Sequence, residues 1–217
     1  KTVYKVSWCP ETGAEYPLRV TFMKDEVTIG LDTCGVSLHK RGYRLLSSKA
    51  PITETLAAAI IMLSPWKKDR ILLDPFCGSG TFPIEAAMLA ANIAPGMNRS
   101  FTAEKWTNFI DKKLWYDAID EANDIMDDSV EVDIQGFDID PAMVKIARQN
   151  ARDAGVDHMI HFQQRAVADL RHPKKYGFII TNPPYGERIE EKANLPKLYR
   201  EIGNSYANLD SWSMYMI

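Results

Sequence analysis

Arg70-Ile71-Leu72-Leu73-Asp74-Pro75-Phe76-Cys77-Gly78-Ser79-Gly80-Thr81 decides the fold. A short apolar strand ends on an acid, turns on two glycines one residue apart, and enters a helix predicted over about Phe82 to Asn92, with Pro83 in its first turn. Such glycines let a backbone turn sharply and approach a ligand closely, and the helix start behind them offers unpaired amides. The third glycine of GxGxxG is missing and no Gly-Lys-Ser/Thr follows, so neither the dinucleotide fingerprint nor the P-loop is present.

Outward from that turn, short apolar strands alternate with helices. Ile134 to Phe137 reads as a strand, and Asp140-Pro141 as the cap and first turn of a helix that Gly155 ends. Met159 to Phe162 and Phe178 to Ile180 are further strands. A helix carrying Leu195, Leu198, Tyr199, Ile202, Tyr206 and Leu209 on one face follows, and Ser213 to Ile217 starts another strand. On the amino-terminal side a helix begins near Pro51 and continues through Leu56 to Leu63. Val3 to Trp8, Leu18 to Met23 and Val27 to Leu31 read as strands, with turns at Pro10 to Gly13 and Lys24-Asp25. Residues 102 to 128 are polar and helical, within a stretch, 93 to 133, that is an insertion between strand elements. The alternation predicts an α/β fold with a doubly wound, Rossmann-like parallel sheet, whose ligands sit at the carboxyl ends of the strands.

Three strand ends carry the candidate chemistry. Asp74 precedes the glycine turn. The next strand ends in Gly136-Phe137-Asp138-Ile139-Asp140, where a carboxylate can accept from both hydroxyls of a ribose. Asp140 precedes Pro141 and is explained as a helix cap, which leaves Asp138 as the ribose candidate. The last of the three ends in Thr181-Asn182-Pro183-Pro184-Tyr185-Gly186. Two prolines fix two φ angles and remove two N–H donors, so nearby carbonyls face outward. Asn182 adds a side-chain oxygen and Tyr185 a flat apolar face. This end is built to accept hydrogen bonds from an amino group and to stack a planar ring.

Asp74 to Thr81, Gly136 to Asp140 and Asn182 to Tyr185 together resemble the class I S-adenosylmethionine-dependent amino-methyltransferases. His39-Lys40-Arg41-Gly42-Tyr43-Arg44, Lys49 to Leu56, Ile93 to Arg99 and Tyr185-Gly186-Glu187-Arg188 narrow the resemblance to the THUMP-bearing rRNA guanine-N2 methyltransferases, whose relatives carry the label N6-adenine-specific DNA methylase. The resemblance implies S-adenosylmethionine as cofactor, held by Pro51, Thr53, Glu54, Asp74, Phe76, Cys77, Gly78, Gly80, Thr81, Asp138, Ile139, Val167, Asp169 and Asn182. It implies Asn182, Pro183 and Tyr185 as catalytic residues. Many relatives place an acid near the adenine amino group where this chain has Ala166, so Asp169 or the Val167 amide takes that contact. Residues 1–33 become the end of a THUMP-like RNA-binding module, 34–50 a basic connector, and 51–217 a methyltransferase domain incomplete at its carboxyl end. Lys40, Arg41, Tyr43, Arg44 and Arg188 become candidate RNA contacts. The opening at Lys1 and the close at Ile217 inside an apolar run read as a fragment.

Composition sets bounds on this reading. The chain has 217 residues, 46% hydrophobic and 25% charged, which excludes a disordered or low-complexity protein. Cys9, Cys34 and Cys77 show no CxxC spacing, so neither a disulfide framework nor a cysteine zinc site is expected, and a reducing cytoplasm fits. His158 and His161 would lie on opposite faces of a strand, and no metal is expected. The longest uncharged apolar stretch, Thr55 to Trp66, is too short for a membrane span. The net charge of −3 disfavours nucleic acid only until it is located: residues 104–133 hold ten acids against three bases. Residues 33–53 carry four bases and no acid, and 145–175 seven bases against three acids, so phosphate-facing surface remains for RNA. A nicotinamide oxidoreductase would share the sheet but leaves Asn-Pro-Pro-Tyr unexplained. A protein-glutamine methyltransferase shares that tetrapeptide, since a side-chain amide is also a planar NH₂.

Overall fold

The computed structural model describes residues 3, 5, 7, 8, 11–44, 51–186 and 189–217, with 189–192 as backbone only. The chain divides into two compact units, residues 1–37 with 100–120, and 38–99 with 121–217.

In the first unit, β1 (Leu18–Met23) and β2 (Glu26–Leu31) form an antiparallel hairpin. Lys24 and Asp25 both take positive φ, 50° and 62°, the backbone that a two-residue hairpin loop with the strands' own twist requires. Leu18 pairs with Leu31, Val20 with Ile29 and Phe22 with Val27, so one face is apolar throughout. Beside the hairpin, Trp106 is buried and stacked on Tyr16 at 5.2 Å, and its indole donates to the Glu15 carbonyl at 2.6 Å. Residues 100–120, read as part of an insertion in the catalytic domain, pack with this unit instead. No strand is present among the described residues of the expected Val3 to Trp8 segment: 3, 5, 7 and 8 lie in turns or irregular backbone, Lys5 at a φ of 52°.

The second unit is the doubly wound sheet. In chain order it holds α1 (Glu54–Leu63), β3 (Leu72–Asp74), α2 (Thr81–Ala90), the end of the amphipathic α3 (Lys112–Asp124), β4 (Ile134–Asp138), α4 (Pro141–Asp153), β5 (Ile160–Gln164), β6 (Phe178–Thr181), α5 (Ile189–Ala207) and β7 (Ser213–Met216). The five strands pair in parallel in the order β5-β4-β3-β6-β7. The chain winds outward from β3 to β5, then crosses back to begin at β6, so the switch lies between β3 and β6. Alternate strand residues face opposite sides. Leu72, Ile134, Phe162 and Ile180 join Phe82, Ile84, Ala147 and Ala151 in one core. Leu73, Phe137 and Ile179 join Leu170, Leu209 and Trp212 in the other.

Two boundaries moved from the sequence expectation. The first helix starts at Glu54 rather than Pro51, with Thr53 as its N-cap, and Asp74 lies inside β3. Residues 38–44, read as a connector, are part of this unit: Tyr43 is wholly buried in its core.

Candidate active site

The site is assembled at the carboxyl ends of β3, β4 and β6. Asp74 is buried, and its Oδ1 accepts from the Phe76 amide at 3.1 Å and from the Thr181 hydroxyl at 2.6 Å. That second bond ties the end of β3 to the end of β6 across the switch. Burial pushes the Asp74 carboxyl up to about 7; the Thr181 and Phe76 hydrogen bonds oppose the rise and the nearby Asp138 carboxylate adds to it.

The turn after β3 is fixed by its own backbone. The Cys77 amide donates to the Phe137 carbonyl at 2.8 Å and the Gly80 amide to the Cys77 carbonyl at 2.7 Å. Gly78 and Gly80 take φ of 51° and 89°, the left-handed region that favours glycine. A Cβ on Gly80 would press on Ala147, Ile84 and Phe162 at 3.1–3.2 Å, whereas at Gly78 nothing lies within 4 Å. Gly80 is thus needed for packing, and Gly78 leaves open backbone. Gly80 caps α2, whose first turn contains no acidic side chain. Cys77 is buried and burial raises its thiol well above the usual range, which makes it a packing residue rather than a nucleophile.

Asp138 joins this turn from β4. Its Oδ2 accepts from the Gly78 amide at 3.0 Å and its Oδ1 from the Asp140 amide at 2.9 Å, leaving lone pairs on both oxygens. Burial raises its pKa, opposed by those two amides. Asp140 caps α4 through the Ala142 amide at 2.8 Å, as its place before Pro141 predicts. Ile139, 70% exposed, puts an apolar side chain beside the acid. After β5, Val167 is buried in a 3-10 turn, its carbonyl accepting from Ser205 at 2.7 Å, while Asp169 is exposed.

At the end of β6, Asn182 is half-buried and Pro183 buried, and Tyr185 exposes 56% of its surface. Asp74, Phe76, Gly78, Asp138 and Asn182 therefore belong to adjacent strand ends joined by hydrogen bonds.

The basic segment is corrected by the structure. Tyr43 is buried and donates to Glu85 Oε1 at 2.9 Å, and Arg41 lies 3.5 Å from Glu85 Oε2. Burial raises the Glu85 carboxyl, against the pull of Arg41 and Tyr43, and raises the Tyr43 phenol well above its usual range. Arg44 donates to the Ile52 carbonyl at 2.8 Å, to Thr81 Oγ1 at 3.2 Å and to Glu54 Oε2 at 2.9 Å. Arg41, Tyr43 and Arg44 are thus internal braces, not RNA contacts, and the buried Glu54 carboxylate is taken by Arg44. Pro51 and Thr53 precede α1, with Thr53 exposed. Lys40 is exposed, and Arg188 lies outside the described residues.

Sequence reasoning missed Asn150 and Ser79. Asn150 is wholly buried on α4 and donates to the Ser79 carbonyl at 2.9 Å, and the Ser79 hydroxyl is buried with no partner among the described residues. An asparagine on the same helix face as Val144, Ala147 and Ala151 was the available signal. Among the described residues no group of three or more His, Cys, Asp or Glu could hold a metal ion, and no helix is long and apolar enough to cross a membrane.

Residues 41–217 match the family model UPF0020, described as "RMKL-like, methyltransferase domain". The chain belongs to the UPF0020 family. It is 47% identical over 210 residues to "Putative RNA methyltransferase YpsC" of Bacillus subtilis (strain 168), covering 97% of this chain and 54% of that protein. It is 40% identical to "Ribosomal RNA large subunit methyltransferase K/L" of Shewanella pealeana, covering 94% of this chain and 29% of that one. The crystal structure of SMU.472 complexed with SAH superposes with a TM-score of 0.88 at 44% identity, over 95% of this chain and 54% of that one. The chain thus spans about half or less of these relatives. S-adenosylmethionine is the cofactor of this UPF0020 domain. The residues fit that group: open backbone at Gly78, a buried Ser79 hydroxyl with no partner among the described residues, available lone pairs on Asp138 and an exposed apolar Ile139 beside them.

Proposed function

We propose that this domain methylates the exocyclic amino group of a nucleobase in RNA, with guanine N2 of large-subunit ribosomal RNA as the first candidate. The observation that carries the reading is Asn182-Pro183-Pro184-Tyr185 at the end of β6, joined to the glycine turn through Thr181 and Asp74. Names among the relatives support RNA as substrate. Bound S-adenosylmethionine supplies an electrophilic methyl group on its sulfonium.

The chain's own residues supply position and polarity. Asp138 accepts the ribose hydroxyls, Gly78 allows backbone approach, and Ile139 offers a face to the adenine. An exocyclic amine is a weak nucleophile because its lone pair is delocalised into the ring. The Asn182 side chain and the Pro183 carbonyl accept its two N–H groups and favour a pyramidal nitrogen with its lone pair directed at the methyl. Those bonds strengthen as the nitrogen becomes cationic, so they stabilise the transition state more than the ground state. In-line placement supplies much of the rest. Tyr185 stacks on the base, which has to leave its helix to be reached. We place Lys40 and Arg188 against the RNA, and the β1–β2 hairpin at the end of a THUMP-like RNA-binding module. The setting is the cytoplasm, where a buried thiol such as Cys77 stays reduced.

Two variants test the division of labour. Asn182→Ala is expected to abolish methyl transfer to RNA while calorimetric binding of S-adenosylhomocysteine survives. Asp138→Ala is expected to lose that binding. Near-normal turnover by Asn182→Ala would sink the assignment.

A further inference from the structure

Arg44 sits where the segment before α1 meets the beginning of the cofactor turn's helix. Its guanidinium is almost enclosed, 12% exposed, and Glu54 is 2% exposed. One nitrogen, Nη1, serves both the Ile52 carbonyl and Thr81 Oγ1, and Nη2 pairs with Glu54 Oε2. Ile52 and Glu54 bracket Thr53, the N-cap of α1. Thr81 is the first residue of α2, directly after Gly78-Ser79-Gly80. Three groups on two helix starts are therefore held by one planar fork, a geometry the single ammonium of a lysine cannot reproduce.

Thr53 and Gly80 make no side-chain capping bond. Arg44 only donates and so caps no helix amide; what it supplies is a tether, through one guanidinium, between the segment that enters α1 and the first residue of α2. We infer that Arg44 is a positioning residue for cofactor binding: it fixes the start of α1 against the start of α2, and so sets the glycine turn. This rests on the assignment of the Gly78 turn and Asp138 to the cofactor. Arg44 touches neither the reacting atoms nor the base. Its removal weakens cofactor affinity and leaves the chemistry of the bound complex intact.

A purely structural brace would make a different prediction, and a relief variant separates the two. Arg44→Met leaves Glu54 as a buried unpaired charge, so it lowers the thermal midpoint of the ligand-free protein. Arg44→Met/Glu54→Gln removes that charge and recovers most of the midpoint, yet leaves Ile52 and Thr81 unheld. Calorimetric titration with S-adenosylhomocysteine is run on the wild type, both of these variants, Glu54→Gln alone, Arg44→Lys and Asp138→Ala, each beside its own unfolding curve. A loss of affinity in Glu54→Gln as large as that of the relief variant would assign the effect to Glu54 and overturn the inference. The relief variant is expected to bind about tenfold more weakly than wild type despite its recovered midpoint, on the scale at which supporting residues act on a site. Arg44→Lys is expected to fall between them. With RNA and saturating cofactor, kcat should stay within about twofold while the cofactor KM rises by about the same tenfold. Wild-type affinity in the relief variant overturns the inference; if that variant does not recover its midpoint, wild-type affinity in Arg44→Lys overturns it. Wild-type binding by Asp138→Ala would overturn the underlying site assignment instead.

Discussion

Gly78 and Gly136 show how one residue type serves two purposes within the same site. A Cβ on Gly136 would lie 2.6 Å from Phe162 Cε1 and 3.2 Å from Cys77 Cβ, so the glycine exists to let β4 pass under the turn. Gly136→Ala is expected to cost about 1–3 kcal/mol of stability through overpacking. At Gly78 nothing opposes a Cβ, but the φ of 51° costs an alanine about 1–2 kcal/mol. The added methyl would also fill the open space at which we propose the cofactor approaches. Gly78→Ala is therefore expected to lose more affinity for S-adenosylhomocysteine than Gly136→Ala does, with unfolding curves and calorimetry on both variants as the check. Equal affinities in the two would contradict this division. The sequence made the glycine pair visible, and the roles of Gly80 and Gly136 became distinct only once Ala147 and Phe162 were placed against them. Arg41, Tyr43 and Arg44 were misread for the same reason. A basic aromatic cluster looks like an RNA surface until Glu54 and Glu85 come in from α1 and α2 to neutralise it.

Among the elements, the ends of β3 and β6 are joined by a single buried carboxyl. Asp74 is held up to about 7, so the native state keeps a proton that the unfolded chain gives up at the ordinary carboxylate pKa. A raised pKa means the stabilising contribution is fully present below about pH 4 and is lost as pH rises toward 7, then stays constant. The slope from this one group is at most about 1.4 kcal/mol per pH unit. Thermal unfolding of wild type and Asp74→Asn between pH 5 and 8 checks it: wild type should lose stability relative to the variant as pH rises to about 7. Parallel curves would contradict it. The strands β3, β4 and β6 were legible because each is a short, largely apolar run that begins or ends at an acid or a glycine. The strand expected at Val3 to Trp8 had the same alternating look, and the described residues there show turns. Alternation in sequence specifies a strand only where a neighbour is available to pair with it.

At the scale of the molecule, the sheet order β5-β4-β3-β6-β7 brings the glycine turn, Asp138 and Asn-Pro-Pro-Tyr to neighbouring strand ends, although they span Asp74 to Tyr185. That juxtaposition was readable in advance, since parallel crossovers leave few alternatives. The division of the chain was not. Residues 100–120 pack with the hairpin through Trp106 and Tyr16, a contact between segments some 90 residues apart in sequence. Charge is likewise distributed by region. The acidic stretch 104–133 accounts for the negative total while the stretch 145–175 stays basic, so a net charge of −3 is compatible with an RNA substrate. We propose that the methyl group goes to guanine N2 of RNA. Mass spectrometry of nucleosides from ribosomal RNA incubated with the full-length enzyme and isotopically labelled S-adenosylmethionine tests it most directly. The label is expected in N2-methylguanosine; label in N6-methyladenosine, or in protein glutamine with none in the nucleosides, would contradict it.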